Sequence, residues 1–157
     1  MVFCVVVMPI PPDGGRMNEC RLVLDTNVFV AAGFEPKSAS ARLLEALRQG
    51  RCRMIWHQTT RRETERVLRR VPPLDWQRFA PLFQPEWEHP DELDLTPFGA
   101  IEDPDDRKFA ALAAVTQSVL ISNDDHLLAR RDQLPVRVLK PREFFAELIR
   151  GGADGRR

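Results

Sequence analysis

Arg21-Leu22-Val23-Leu24-Asp25-Thr26-Asn27-Val28-Phe29-Val30 sets two apolar triplets on either side of the polar Asp25-Thr26-Asn27. An apolar run of this kind, stopped by polar residues, predicts a strand buried on both faces and ending at Asp25. Burial on both faces is the habit of parallel sheets covered by helices, so the surrounding text is expected to alternate between strands and helices. It does. Ala39 to Gln49 carries Leu43, Leu44 and Leu47 at helical spacing and stops at Gly50, a C-cap residue, while Cys52 to Trp56 reads as a second short strand.

Further along, Thr60-Arg61-Arg62-Glu63 has the spacing of a capping box and predicts a helix through Val67 and Leu68 that ends before Pro72-Pro73. A short helix is expected from Leu74 to Phe83 and an exposed acidic loop from 84 to 99. Asp105 to Thr116 returns to helical period, and Val119 to Ile121 is a strand stopped by Ser122-Asn123-Asp124-Asp125. A short helix from His126 to Arg131 and a last strand from Val136 to Leu139 follow. Pro141 then opens a helix whose apolar face is Phe144, Phe145, Leu148 and Ile149. The expected fold is α/β, a three-layer α/β/α sandwich with a central parallel sheet. It would occupy residues 21–150, between an N-terminal extension of residues 1–20, in which Met8 and Met17 are alternative starts, and a flexible tail of residues 151–157.

The 157 residues fit one domain large enough to bury a core without staples. No apolar run approaches the ~20 residues of a membrane span, and Val2 to Met8 lacks the form of a signal peptide, so no membrane association and a cytoplasmic location are expected. Cys4, Cys20 and Cys52 form an odd set with no short metal-ligand spacing, which argues against a disulfide framework and a zinc site; they read as plain thiols. Equal numbers of basic and acidic residues, 23 of each, hide a strong segregation. Residues 42–70 hold nine Arg and three Glu, a balance of +6, whereas residues 86–106 hold nine acids and no Lys or Arg, a balance of −9.

In a doubly wound sheet, ligands bind beyond the carboxyl ends of the strands where the connections diverge. Asp25, Asp124 and Asp125 fall at strand ends, Asp103, Asp105 and Asp106 at the entrance to a helix, and Glu63 in the first turn after the second strand. All can meet on one edge. Clustered carboxylates repel and raise one another's pKa unless a cation joins them, and an all-oxygen site suits Mg²⁺ or Mn²⁺. One or two such ions would polarise a phosphoryl oxygen and activate water, which is phosphodiester chemistry.

Four segments in order carry a resemblance. Val23-Leu24-Asp25-Thr26-Asn27-Val28 resembles the opening motif of the PIN domain family, metal-dependent ribonucleases that include toxins of bacterial toxin–antitoxin pairs. Thr60 to Leu68 is similar to the helix carrying that family's Glu, here Glu63. Asp103-Pro104-Asp105-Asp106-Arg107-Lys108-Phe109 resembles the D-P-x-D-x-x-F signature of one bacterial subgroup. Leu120-Ile121-Ser122-Asn123-Asp124-Asp125-His126-Leu127-Leu128 resembles the strand and Thr/Ser-x-Asp of the fourth acid. The closing Leu139 to Phe145 agrees as well.

The resemblance implies a Mg²⁺- or Mn²⁺-dependent endoribonuclease that hydrolyses single-stranded RNA, with Asp25, Glu63, Asp106 and Asp124 as catalytic metal ligands. It further implies a toxin role with a cognate antitoxin as partner, and leaves a homodimer open. Asp103 and Asp125 would support the cluster, and Ser122 would donate a hydrogen bond to a ligand or to phosphate. Asn27 either orients Asp25 or simply forms a turn. For Glu63 the competing role is that of a helix cap, and Glu65 is its register alternative. Arg61, Arg62 and Arg66 are expected to contact RNA, against the plainer role of a solvated helix face. A catalytically weak PIN-fold module that binds RNA or protein is the alternative function. A response-regulator receiver is disfavoured, because it needs an acidic pair where the first strand offers a single Asp25.

Overall fold

The structure, a computed structural model, describes residues 20–155. Its centre is a four-stranded, all-parallel sheet of β1 (Arg21–Leu24), β2 (Arg53–Met54), β3 (Val119–Ile121) and β4 (Val138–Leu139), in the order β2-β1-β3-β4. Side chains of the sheet divide between two cores. Leu22, Leu24, Met54 and Ile121 face one, and Val23, Ile55, Leu120 and Val138 face the other. This two-sided burial is the reason the strands read as unbroken apolar runs.

On the first face lie α1 (Thr26–Phe34), α2 (Ala39–Arg48), α3 (Gln58–Arg70) and the last helix, α7 (Pro141–Gly155), contributing Val28, Phe29, Leu43, Leu44, Leu68 and Phe144. The short α4 (Trp76–Phe79) closes this side with Trp76 and Phe79. On the second face α5 (Pro104–Thr116) packs Phe109, Ala110 and Leu112 against β1 and β3, joined by Leu127 and Leu128 of α6 (Asp125–Ala129). The result is the three-layer α/β/α sandwich expected from the alternation.

Several boundaries differ from the sequence reading, each for a local reason. The second and fourth strands are shorter than expected, two residues apiece, because only those residues pair with a neighbour. α3 begins earlier, at Gln58, since His57 is its cap: the His57 ring accepts from Thr59 N, and Thr60 Oγ1 accepts from His57 N. The Thr60–Glu63 capping box is therefore displaced by three residues, leaving Glu63 free of any cap duty. The acidic segment 84–99 is not merely loop. It holds two 3₁₀ turns, bridges Trp56 to Glu88, and buries Phe98. Gly50, with φ +75°, ends α2 as its position predicted.

The cysteine expectation is corrected. β1 and β2 pair with Arg21 opposite Arg53, which sets the preceding residues Cys20 and Cys52 side by side with Cα atoms 4.8 Å apart, and the two form a disulfide. Sequence separation hides a neighbour that strand register creates. Of the expected extension, residues 1–19 lie outside the described residues. So do residues 156 and 157 of the expected tail, while α7 itself runs on through Gly155.

Candidate metal centre

The switch point of the sheet lies between β1 and β3: from β1 the chain passes to β2 on one side, and from β3 to β4 on the other. The crevice beyond β1 and β3 collects the acids. Asp25 follows Leu24 directly and occupies the cap position of α1, yet its side chain makes no capping bond to that helix. Its Oδ2 instead accepts from Ser122 Oγ at 2.7 Å and from Asn27 Nδ2 at 3.4 Å. Ser122, fully buried at the end of β3, also accepts from Asp124 N at 3.0 Å. One hydroxyl thus ties two acids from different strand ends together.

Asp106 enters from the first turn of α5, and Asp124 from the cap of α6, where its Oδ1 accepts from His126 N at 2.9 Å. One carboxylate oxygen from each of Asp25, Asp106 and Asp124 lies within 4.8 Å of the others. No Lys or Arg forms a salt bridge with any of the three among the described residues; the His126 ring lies 3.8 Å from Asp124. The strain is electrostatic. Burial, with repulsion from Asp124 and Glu63, holds Asp25 up at about 6 against the lowering influence of its hydrogen bonds. Burial and then repulsion from Asp25, Asp103 and Asp124, together with a hydrogen bond to Asp124, push Asp106 up to about 8. Three converging oxygen donors with unanswered charge are the donor set that a hard divalent cation satisfies, so the residues present fit such an ion.

Glu63 stands beside this group but outside it. Its carboxylate is ion-paired with Lys108 Nζ, the two side chains 14% and 16% exposed, and lies 3.9 Å from Arg66. Lys108, two residues past Asp106, also donates to Asp105 O. Sequence alone assigns Lys108 no role, because its partner is 45 residues away. Asp103 caps α5 by accepting from Asp105 N, and Asp125 is exposed in the first turn of α6. Among the arginines, Arg61 pairs with Glu65 and lies over Trp76 and Phe83, so it serves packing, while Arg62 and Arg66 are exposed. Thr64, to which the sequence assigns no role, shares with Thr26 a buried hydroxyl–hydroxyl bond of 2.9 Å that fixes α3 against the start of α1. Arg130 is equally unmarked by any motif; it lines a cavity of about 80 Å³ together with Asp106 and Asp124.

The PIN domain family model matches residues 21–126, which span every acid of this site. No curated protein matches the chain in sequence. Among solved structures, VapBC2 from Rickettsia felis, bound to a DNA fragment from their promoter, is similar with a TM-score of 0.55 at 14% identity, covering 76% of this chain and 97% of that one. FitAcB from Neisseria gonorrhoeae is similar with a TM-score of 0.51 at 18% identity, over the same shares of the two chains. At these identities the likeness is one of fold.

Proposed function

Since the chain belongs to the PIN domain family, we propose that it is a Mg²⁺- or Mn²⁺-dependent endoribonuclease acting on single-stranded RNA. The observation that carries this is the convergence of Asp25, Asp106 and Asp124 at the switch point of the sheet, within 4.8 Å and with no basic partner bridging them among the described residues. These three residues would hold the cation. Ser122 and Asn27 keep Asp25 in one rotamer, so the donors are set before an ion arrives. When bound, the cation neutralises charge on a phosphate oxygen and lowers the pKa of a water molecule at that phosphate.

Glu63 is the fourth acid of this reading. Its bond to Lys108 holds it in reserve at the side of the site, and a higher cation charge in the crevice would compete with the ammonium for it. Arg62 and Arg66, exposed on α3, would meet the RNA backbone. The toxin role, with an antitoxin partner and a cytoplasmic setting, belongs to the same proposal and rests on the family resemblance. A homodimer is compatible with it.

The test is cleavage of a labelled single-stranded RNA by the purified chain in Mg²⁺ or Mn²⁺, with and without chelator, beside Asp106→Asn. Metal-dependent cleavage abolished in the variant supports the reading. Undiminished cleavage in chelator or in the variant would sink it, and metal binding without any cleavage would favour the regulatory module.

A further inference from the structure

A second concavity, of about 360 Å³, opens next to the acids on the first face of the sheet, between α1, the start of α2, the residue after Ser122 and the start of α7. Its character is opposite to that of the metal centre. Lys140 and Arg142 line it, both exposed, and neither side chain forms a salt bridge among the described residues. Lys108, Arg131 and Arg137 are engaged with Glu63, Glu143 and Glu147, whereas Lys140 and Arg142, like Arg62 on α3, keep their charge for solvent or a ligand. The one carboxylate in the lining is Glu35. Glu143, at the start of the same helix, is occupied by Arg131 and by Lys140 N.

The floor of this concavity is polar and wired to the metal centre. Asn27 Nδ2 donates to Asp25, Asn27 Oδ1 accepts from Asn123 N at 3.0 Å, and Asn123 Nδ2 donates to Ser40 Oγ at 3.1 Å. Ser40 is 3% exposed. Its oxygen is used by Asn123, but its hydroxyl hydrogen has no acceptor among the described residues. Because Ser40 lines the concavity, its hydroxyl can donate to an oxygen that enters there. Two cations outside any salt bridge among the described residues, above a hydroxyl with its donor free, describe a seat for an anion with several oxygens.

We propose that this concavity is a second phosphate subsite, which holds a phosphodiester of the RNA strand neighbouring the one at the carboxylates, with Lys140, Arg142 and Ser40 as its ligands. This rests on the nuclease reading. It adds to the contacts assigned to Arg62 and Arg66, since a crevice of acids repels RNA and a basic seat beside it offsets the repulsion. Asn27, shared by both walls, fixes the spacing between the two subsites.

The test uses the full chain in chelator, so that binding is read without cleavage. A single-stranded RNA hexamer is titrated by fluorescence anisotropy and by amide chemical shifts. Expected are shifts at Ser40 and Asn123, affinity roughly tenfold lower in Lys140→Ala/Arg142→Ala, and a salt dependence shallower by about 0.7, the value for one single-strand phosphate. Glu35→Gln, which removes the one carboxylate of the lining, tightens binding. Unchanged affinity and salt slope in the double variant, or hexamer shifts confined to the acidic crevice, overturn the proposal. So does inorganic phosphate that moves Ser40 and Asn123 as far as the hexamer does at equal concentration, since that marks a simple anion site. If the hexamer binds there but the wild type cleaves no RNA in Mn²⁺, the subsite stands and the nuclease reading falls.

Discussion

Asp25→Asn separates the electrostatic role of the acid from its structural one. In the fold the Asp25 carboxyl ionises at about 6 instead of the ordinary 3.8. At about 1.4 kcal/mol for each tenfold, keeping it ionised in the fold costs about 3 kcal/mol. The sign follows from proton binding: the folded state holds this proton more tightly than the unfolded chain does. Its contribution to stability is therefore full below about 3.8 and lost as pH rises through about 6. Asparagine removes the ionisation but keeps an oxygen to accept from Ser122. Any packing penalty is the same at all pH values, whereas the relief grows with pH. Part of the loss is already incurred near pH 4.5, so the stability of Asp25→Asn relative to wild type should rise by about 2 kcal/mol between about pH 4.5 and about pH 8. Asp106 adds in the same direction, because Asp25 is one of the charges that raise it.

The assay is urea unfolding in chelator, followed by tryptophan fluorescence at both pH values. A difference that stays constant with pH, or shrinks, would refute the claim that Asp25 sits in uncompensated charge. Repeating the series with Mn²⁺ supplies the counterpart. At roughly a hundredfold excess over its dissociation constant the ion adds about 2.7 kcal/mol to the wild type and little to the variant.

Lys108→Met breaks the ion pair with Glu63 and leaves that acid only its longer contact with Arg66, so the metal-free melting temperature falls while Mn²⁺ binds more tightly by calorimetry; weaker binding would mean that Lys108 does not compete with the ion. Cys20 and Cys52 close a loop with a sequence separation of 32, for which chain entropy gives roughly 3 to 4 kcal/mol. Adding reductant, or replacing Cys52 by Ala, should therefore lower the melting temperature by several degrees, and indifference to reductant would show that the two sulfurs act as separate thiols.

The strands and the acids are legible in the sequence in different ways. Leu22 to Leu24 and Val119 to Ile121 announce themselves because both faces of each strand are buried, and Asp25 and Asp124 stand out as charges placed just beyond their ends. α1 does not, since Val28, Phe29, Val30 and Ala32 leave it almost no polar face from which a period could be read. Glu63 is legible as a residue but not as an ion pair: no spacing along the chain says that Lys108 will cross to it. The His57 cap escapes a sequence reading because a ring nitrogen is a rare acceptor for a helix start, and the Thr60–Glu63 pair offers a commoner one three residues on. The disulfide escapes it for the same kind of reason, being a product of register between strands.

The bond from Ser122 to Asp25 spans 97 residues, and Asp124 hangs on the same hydroxyl. The three acids reach from Asp25 to Asp124, and no shorter stretch of the chain contains them all. A polypeptide emerging from the ribosome has Asp25 early, yet it has no place to hold a cation until β3 has slid in beside β1 and brought Ser122 with it. Synthesis and assembly of the acid cluster are thereby separated in time by the order of the strands, so that a chain interrupted at any point before residue 124 lacks the cluster, and with it the proposed activity, however much of the fold it has made.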